Sequence, residues 1–254
     1  MDILITGASS ALGRAVAAEL ADGHKLRLFD STSVDAGDNA RSIEGELTDP
    51  KVVWEAVRGV DAILHLGEPP PALPTDVLAR DEVLLDHATR GTHVLFSAAV
   101  DARVQRFVFG STLEVFDDYP DDVYISENWK PLPSTRMEVM SRYLGEGICR
   151  CFVRDSRIGV TVLRLGRVVL EEEVEDVEEG DLMWVDRRDA ASAFACALRR
   201  NTCQALTWSG RWGLFHICAP IHNGKFLIAA AEKMGYAPER SFARHWRPTA
   251  GAMT

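Results

Sequence analysis

One glycine-rich turn and one acidic strand end have the residue types and spacing for chemistry. Thr6-Gly7-Ala8-Ser9-Ser10-Ala11-Leu12-Gly13 lies between a short apolar run and an amphipathic one. Gly7 permits a tight turn, the small residues let a ligand approach the main chain, and Gly13 allows the next helix to pack closely on a sheet. The first turn of that helix then offers unused N–H groups and the positive end of its dipole, a pattern suited to a diphosphate. Ser10 stands where the middle glycine of G-x-x-G-x-x-G would be. Its side chain either crowds a pyrophosphate or donates a hydrogen bond to it. The candidate phosphate contacts are therefore Gly7, Ser9, Ser10, Ala11, Leu12 and Gly13.

Asp30 ends the next apolar run, Leu26-Arg27-Leu28-Phe29-Asp30. A carboxylate at that distance accepts hydrogen bonds from both hydroxyls of an adenosine ribose and repels a 2′-phosphate, so the expected cofactor is NAD rather than NADP. Glu46-Leu47 and Leu66-Gly67 end later segments at the same expected sheet edge and join the candidate cofactor contacts.

These residues need a scaffold that brings strand ends to one edge. Strands are expected at Asp2–Thr6, Lys25–Asp30, Arg41–Leu47, Asp61–Gly67, Arg106–Ser111 and Val160–Leu165. Helices are expected at Ala11–Leu20, Pro50–Val57, Val77–Ala99 and Ser134–Arg154. Strands alternating with helices predict an α/β fold, a doubly wound parallel sheet of the Rossmann type, with helices on both faces. Residues 1–166 form the expected cofactor-binding domain. Residues 167–254, with Trp208, Trp212 and Trp246, form an expected small C-terminal substrate lobe interleaved with the core.

Composition removes several function classes. The chain has 254 residues, 46% of them apolar, and a formal charge of −10. That balance opposes a nucleic-acid partner, which needs a basic face to neutralise phosphates. No run of about eighteen apolar residues suggests a membrane span. A strand starts at Asp2, so no signal peptide is expected, and the expected location is cytoplasmic. The five cysteines, an odd number with no C-x-x-C pair, are expected to be buried free thiols, and the seven histidines show no metal spacing.

Taken together, Thr6–Gly13, Asp30, Gly45–Asp49, Asp61–Gly67, Phe107–Phe116 and Ser141–Glu146 resemble the extended short-chain dehydrogenase/reductases, the NAD-dependent epimerase/dehydratase family. The resemblance covers roughly residues 1–200, and the His65-Leu66-Gly67 segment is most similar to the small uronate dehydrogenase-like members. It implies NAD binding and chemistry at a hydroxyl of a sugar or sugar acid, by an oxidoreductase or an epimerase/dehydratase. It also implies a catalytic Ser/Thr, a Tyr-x-x-x-Lys pair and often a helix Asn. Carried over by register, Thr112 falls on the Ser/Thr position, Glu138 on the Tyr, Arg142 on the Lys and Ala88 on the Asn. None of the four tyrosines is followed by lysine four residues later.

That substitution sets two readings side by side. Glu138 could accept the proton and Arg142 could hold a cofactor ribose. Replacing a group of pKa about 10 by one of about 4.3 then removes proton-transfer driving force and slows the reaction on the order of a thousandfold. Alternatively the two form an i,i+4 ion pair, and the chain is a non-catalytic NAD-binding regulatory protein. Its small-molecule partner is a sugar-like substrate or none, with a possible homodimer through helices 77–99 and 134–154. Glu171–Asp181, with eight acidic residues, reads as a solvated loop or as a lip disfavouring anionic substrates. Arg164 and Arg167 could meet a substrate anion, Asp186 and Asp189 read as capping residues, and His65 as a strand-end packing residue.

Overall fold

The computed structural model describes residues 1–37, 40–174, 180–221 and 224–246. The chain alternates β1 (Asp2–Thr6), α1 (Ala11–Leu20), β2 (Lys25–Asp30), β3 (Ala40–Glu44), α2 (Pro50–Val57), β4 (Ala62–His65), α3 (Val77–Asp86), α4 (Thr92–Asp101), β5 (Arg106–Thr112), α5 (Met137–Asp155) and β6 (Gly159–Leu165). Then follow β7 (Arg167–Val169), β8 (Trp184–Asp186), α6 (Arg187–Arg199), the single turn α7 (Trp208–Arg211), β9 (Trp212–Ile217) and α8 (Ala229–Met234). Seven strands form one parallel sheet in the order β3-β2-β1-β4-β5-β6-β9, and β7 pairs with β8 in a separate two-stranded ribbon. The order reverses beside β1, and such a switch leaves a crevice at the carboxyl ends of β1 and β4.

The central strands read as unbroken apolar runs because both faces are covered. On one face Ile3, Ile5, Leu28, Leu64 and Leu163 pack against α1 and α6. On the other Leu4, Phe29, Ile63, Phe107 and Val162 pack against α2, α4 and α5. A third cluster, Leu113, Val115, Phe116, Ile125, Val139, Met183 and Phe226, with Tyr143 packed on it, joins the segment after β5 and the start of α5 to residues 183 and 226. Trp212 starts β9 at the edge of the main sheet.

The helix expected over Val77–Ala99 carries an interruption. A π-helical turn at His87–Gly91 separates α3 from α4. One residue is inserted relative to α-helical register, so the faces of the two halves are rotated. Gly91 makes a close approach there, since a Cβ would stand 3.0 Å from the Leu47 side chain. Sequence periodicity over 77–99 carries no signal for such an insertion, which tertiary packing stabilises.

Candidate cofactor crevice and catalytic positions

The glycine-rich segment folds as its residue types require. Ser10 caps α1 with extended main-chain angles. Its Oγ donates to the Gly7 carbonyl at 2.8 Å and accepts from the Gly13 amide at 2.9 Å. The hydroxyl's only hydrogen is thus used inside the turn, where it ties the loop. Gly13 is obligatory, since a Cβ would collide with the Gly7 carbonyl oxygen and stand 2.7 Å from Ala8 Cα. The Arg14 amide bonds the Ser10 carbonyl at 3.0 Å and the Gly13 amide is held by Ser10, so the amides of Ala11 and Leu12 are the first-turn donors not used by any described residue. Leu12 itself points its side chain into the core.

Asp30 faces this turn. Oδ2 accepts from the Ser9 amide and Oδ1 from the Ser31 amide, both at 2.8 Å, and the residue is 7% exposed. Each carboxylate oxygen keeps acceptor capacity beyond one amide, so a vicinal diol can still dock. Unused helix-start amides beside a fixed carboxylate fit the diphosphate and ribose of a dinucleotide.

At the end of β4 the chain runs unusually close to β5. Gly67 has φ +68°, and a Cβ on it would overlap the Gly110 carbonyl oxygen. Leu66 is fully buried, as is Leu47 beyond β3, whereas Glu46 is exposed. The Leu66 and Leu47 side chains are apolar walls at this edge. His65 is closed off: Nδ1 lies 2.7 Å from Thr6 Oγ1 and Nε2 3.0 Å from Thr92 Oγ1. Burial first, and the neighbouring His87 second, push its imidazole down to about 3, so it is a neutral packing residue.

Each catalytic position has its own surroundings. Thr112 is buried, and its Oγ1 accepts from the Glu114 amide at 3.1 Å, leaving its proton free to donate. Glu138, in the first turn of α5, is half-exposed and lies 3.5 Å from Arg80 on α3. Arg142 turns the other way, its Nη2 donating to Glu68 Oε1 at 3.3 Å. The i,i+4 pair between Glu138 and Arg142 is not formed; each finds a partner more than 50 residues away in sequence.

Two residues at this edge were not singled out from the sequence. Glu68 directly follows Gly67, and an acid in that place was the available signal. His87 is brought in by the π turn, 6.5 Å ring to ring from His65. Burial lowers its pKa against the opposing pull of Asp30, the Glu68 main chain and Asp86.

Neither arginine assigned to a substrate anion is uncommitted. Arg164 binds Glu146, and Arg167 contacts Glu114 and Asp117, each at 3.3 Å, and also Asp181. The described part of the acidic stretch is tied down as well, Glu172 to Arg188 at 2.8 Å and Asp181 to Arg167, while residues 175–179 lie outside the described residues. Asp186 acts as expected, capping α6 through the Arg188 amide at 2.9 Å; Asp189 does not cap but lies in the first turn of α6 and accepts from the Arg240 amide at 2.9 Å. Four cysteines are buried and Cys151 is exposed, which corrects the expectation for that one thiol. Among the described residues no group of three His, Cys, Asp or Glu side chains is placed to hold a metal, and no helix is long and apolar enough to cross a membrane.

Residues 3–183 match the family described as NAD dependent epimerase/dehydratase. The chain belongs to that family. Its extended resemblance in sequence order therefore reflects membership, and NAD is the family's cofactor. The chain is 29% identical over 218 residues to an NAD-dependent glucose-6-phosphate dehydrogenase from Haloferax volcanii, covering 78% of this chain and 80% of the relative. Uronate dehydrogenase from Agrobacterium tumefaciens shares the fold at TM-score 0.78 and 22% identity, over 98% of this chain and 91% of that one. A short-chain dehydrogenase/reductase superfamily protein from the same organism, crystallised with bound NAD, superposes at TM-score 0.73 and 21% identity, over 96% and 94%.

Proposed function

We propose that this family member is an NAD-dependent oxidoreductase acting on a hydroxyl of a sugar or sugar acid. One observation carries the cofactor half: the Asp30 carboxylate, fixed by the Ser9 and Ser31 amides, faces a turn with two unused helix-start amides. The substrate half draws support from the relatives, whose names are those of sugar and sugar-acid dehydrogenases.

Bound NAD would supply the hydride acceptor. Of the chain's own groups, Thr112 keeps a hydroxyl proton to orient the substrate oxygen, and Arg142 is the cation available to ribose hydroxyls. Glu138 is the proton acceptor by register and would have to exchange Arg80 for the substrate. A cytoplasmic homodimer through α3, α4 and α5 completes this reading. The test pairs calorimetry with NAD and NADP against absorbance at 340 nm over a panel of sugars, sugar phosphates and uronic acids. NAD binding with reduction on one substrate class supports the proposal; NAD binding without reduction anywhere on the panel defeats its catalytic half.

That second outcome would fit a non-catalytic NAD-binding protein. The pairing of Glu138 with Arg80 and of Arg142 with Glu68, each away from the other, is the observation favouring it. On that reading NAD raises the melting temperature and no substrate is turned over.

A further inference from the structure

Glu68 begins against the phosphate turn. Its Cβ lies 3.2 Å from where a Cβ on Gly7 would stand. The side chain does not turn out to solvent but meets Arg142, each being 23% exposed. The two residues come from different elements, Glu68 from the segment just after β4 and Arg142 from α5. Their ion pair therefore joins the glycine turn's side of the crevice to the helix that carries the catalytic register.

We propose that Glu68 sets the affinity of the crevice for its dinucleotide by holding Arg142 in an ion pair that the arriving cofactor must break. This rests on the NAD reading above. A dinucleotide brings a doubly charged diphosphate and a second ribose, and Arg142 can serve either those groups or the Glu68 carboxylate. Glu68 also places a negative charge beside the turn that receives the diphosphate, which opposes binding unless Arg142 neutralises one of the two.

The geometry suits an exchangeable contact. A single hydrogen bond of 3.3 Å joins Arg142 to Glu68, longer than the roughly 2.7–2.9 Å of a strong charge-assisted pair. Buried Arg164 on Glu146, by contrast, makes two bonds of 2.8 and 2.7 Å. Partial exposure further screens the Glu68–Arg142 pair. Glu68 is thus a positioning residue, acting on the cofactor through Arg142.

Calorimetry on the full chain tests this, with NAD titrated into wild type, Glu68→Gln and Arg142→Gln at one ionic strength, and adenosine titrated as a ligand lacking the diphosphate and second ribose. Glu68→Gln is expected to tighten NAD about tenfold, Arg142→Gln to weaken it, and adenosine binding to stay the same in both. A merely structural Glu68 would lower the melting temperature and weaken NAD on substitution, the opposite sign. If wild type binds NAD and Glu68→Gln binds it equally or more weakly, the proposal is overturned while the NAD reading stands. If neither protein binds NAD at millimolar concentration, the NAD reading fails and takes this one with it.

Discussion

Arg164 on β6 and Glu146 on α5 form a buried two-pronged ion pair, Nε to Oε1 at 2.8 Å and Nη2 to Oε2 at 2.7 Å. Ser111 donates to the same Oε1 at 2.6 Å, so the carboxylate binds β5, β6 and α5 together just below the catalytic edge.

Breaking this pair on one side should be costly. Glu146→Ala leaves the Arg164 guanidinium charged in a site where it is 3% exposed. The expected loss is about 3–5 kcal/mol, as for other buried charges deprived of a partner. The double replacement Glu146→Leu with Arg164→Met should recover most of it. Urea denaturation of the single and double variants checks both values.

Ser10→Ala separates the two roles the hydroxyl was given. Its bonds run to Gly7 and Gly13 within the turn, so the change should cost about 1 kcal/mol of stability as a lost helix cap. NAD affinity should change less than threefold. A loss of NAD binding of tenfold or more, with stability intact, would show a direct phosphate contact instead.

Asp30→Ala should weaken NAD by tenfold or more and narrow the preference over NADP, because the carboxylate that repels a 2′-phosphate is gone. Parallel titrations with the two cofactors give the ratio. Some stability should also be lost, since the Ser9 and Ser31 amides lose their acceptor.

Stability should fall in mild acid through two histidines. His65 and His216 are both held near 3 in the folded chain, each first by burial, with Arg164 adding to it for His216. Both stay neutral when folded and take up protons when unfolded below about 6.5. The unfolded state therefore binds more protons between about 6.5 and 3, and stability drops on the order of 1.4 kcal/mol per pH unit per histidine as pH falls through that window. Both ring nitrogens of His216 are buried with no hydrogen-bond partner among the described residues. His216→Phe should accordingly be near neutral at pH 7 and remove one histidine's share of the acid slope, on the order of 1.4 kcal/mol per pH unit, measured as urea midpoints from pH 7 to 4.5.

The sequence by itself determined the parallel α/β sheet and the dinucleotide turn, because these are written in local terms. Apolar runs of strand length, a serine able to cap, glycines where a Cβ would collide, and an acid ending the second strand all act within a few residues or at a fixed crossover distance. Nothing local says who neutralises whom. Glu138 and Arg142 share a helix at i,i+4, yet they pair with Arg80 and Glu68; Arg164 looked available to a substrate and is taken by Glu146. A charged side chain settles on whichever opposite charge the packing brings near, and buried charges without one are too unfavourable to persist. The π turn that brings in His87 likewise depends on the fit of Gly91 against Leu47. Only the folded chain decides those matters, since long flexible arginines and glutamates can reach several partners until strands and helices fix the distances.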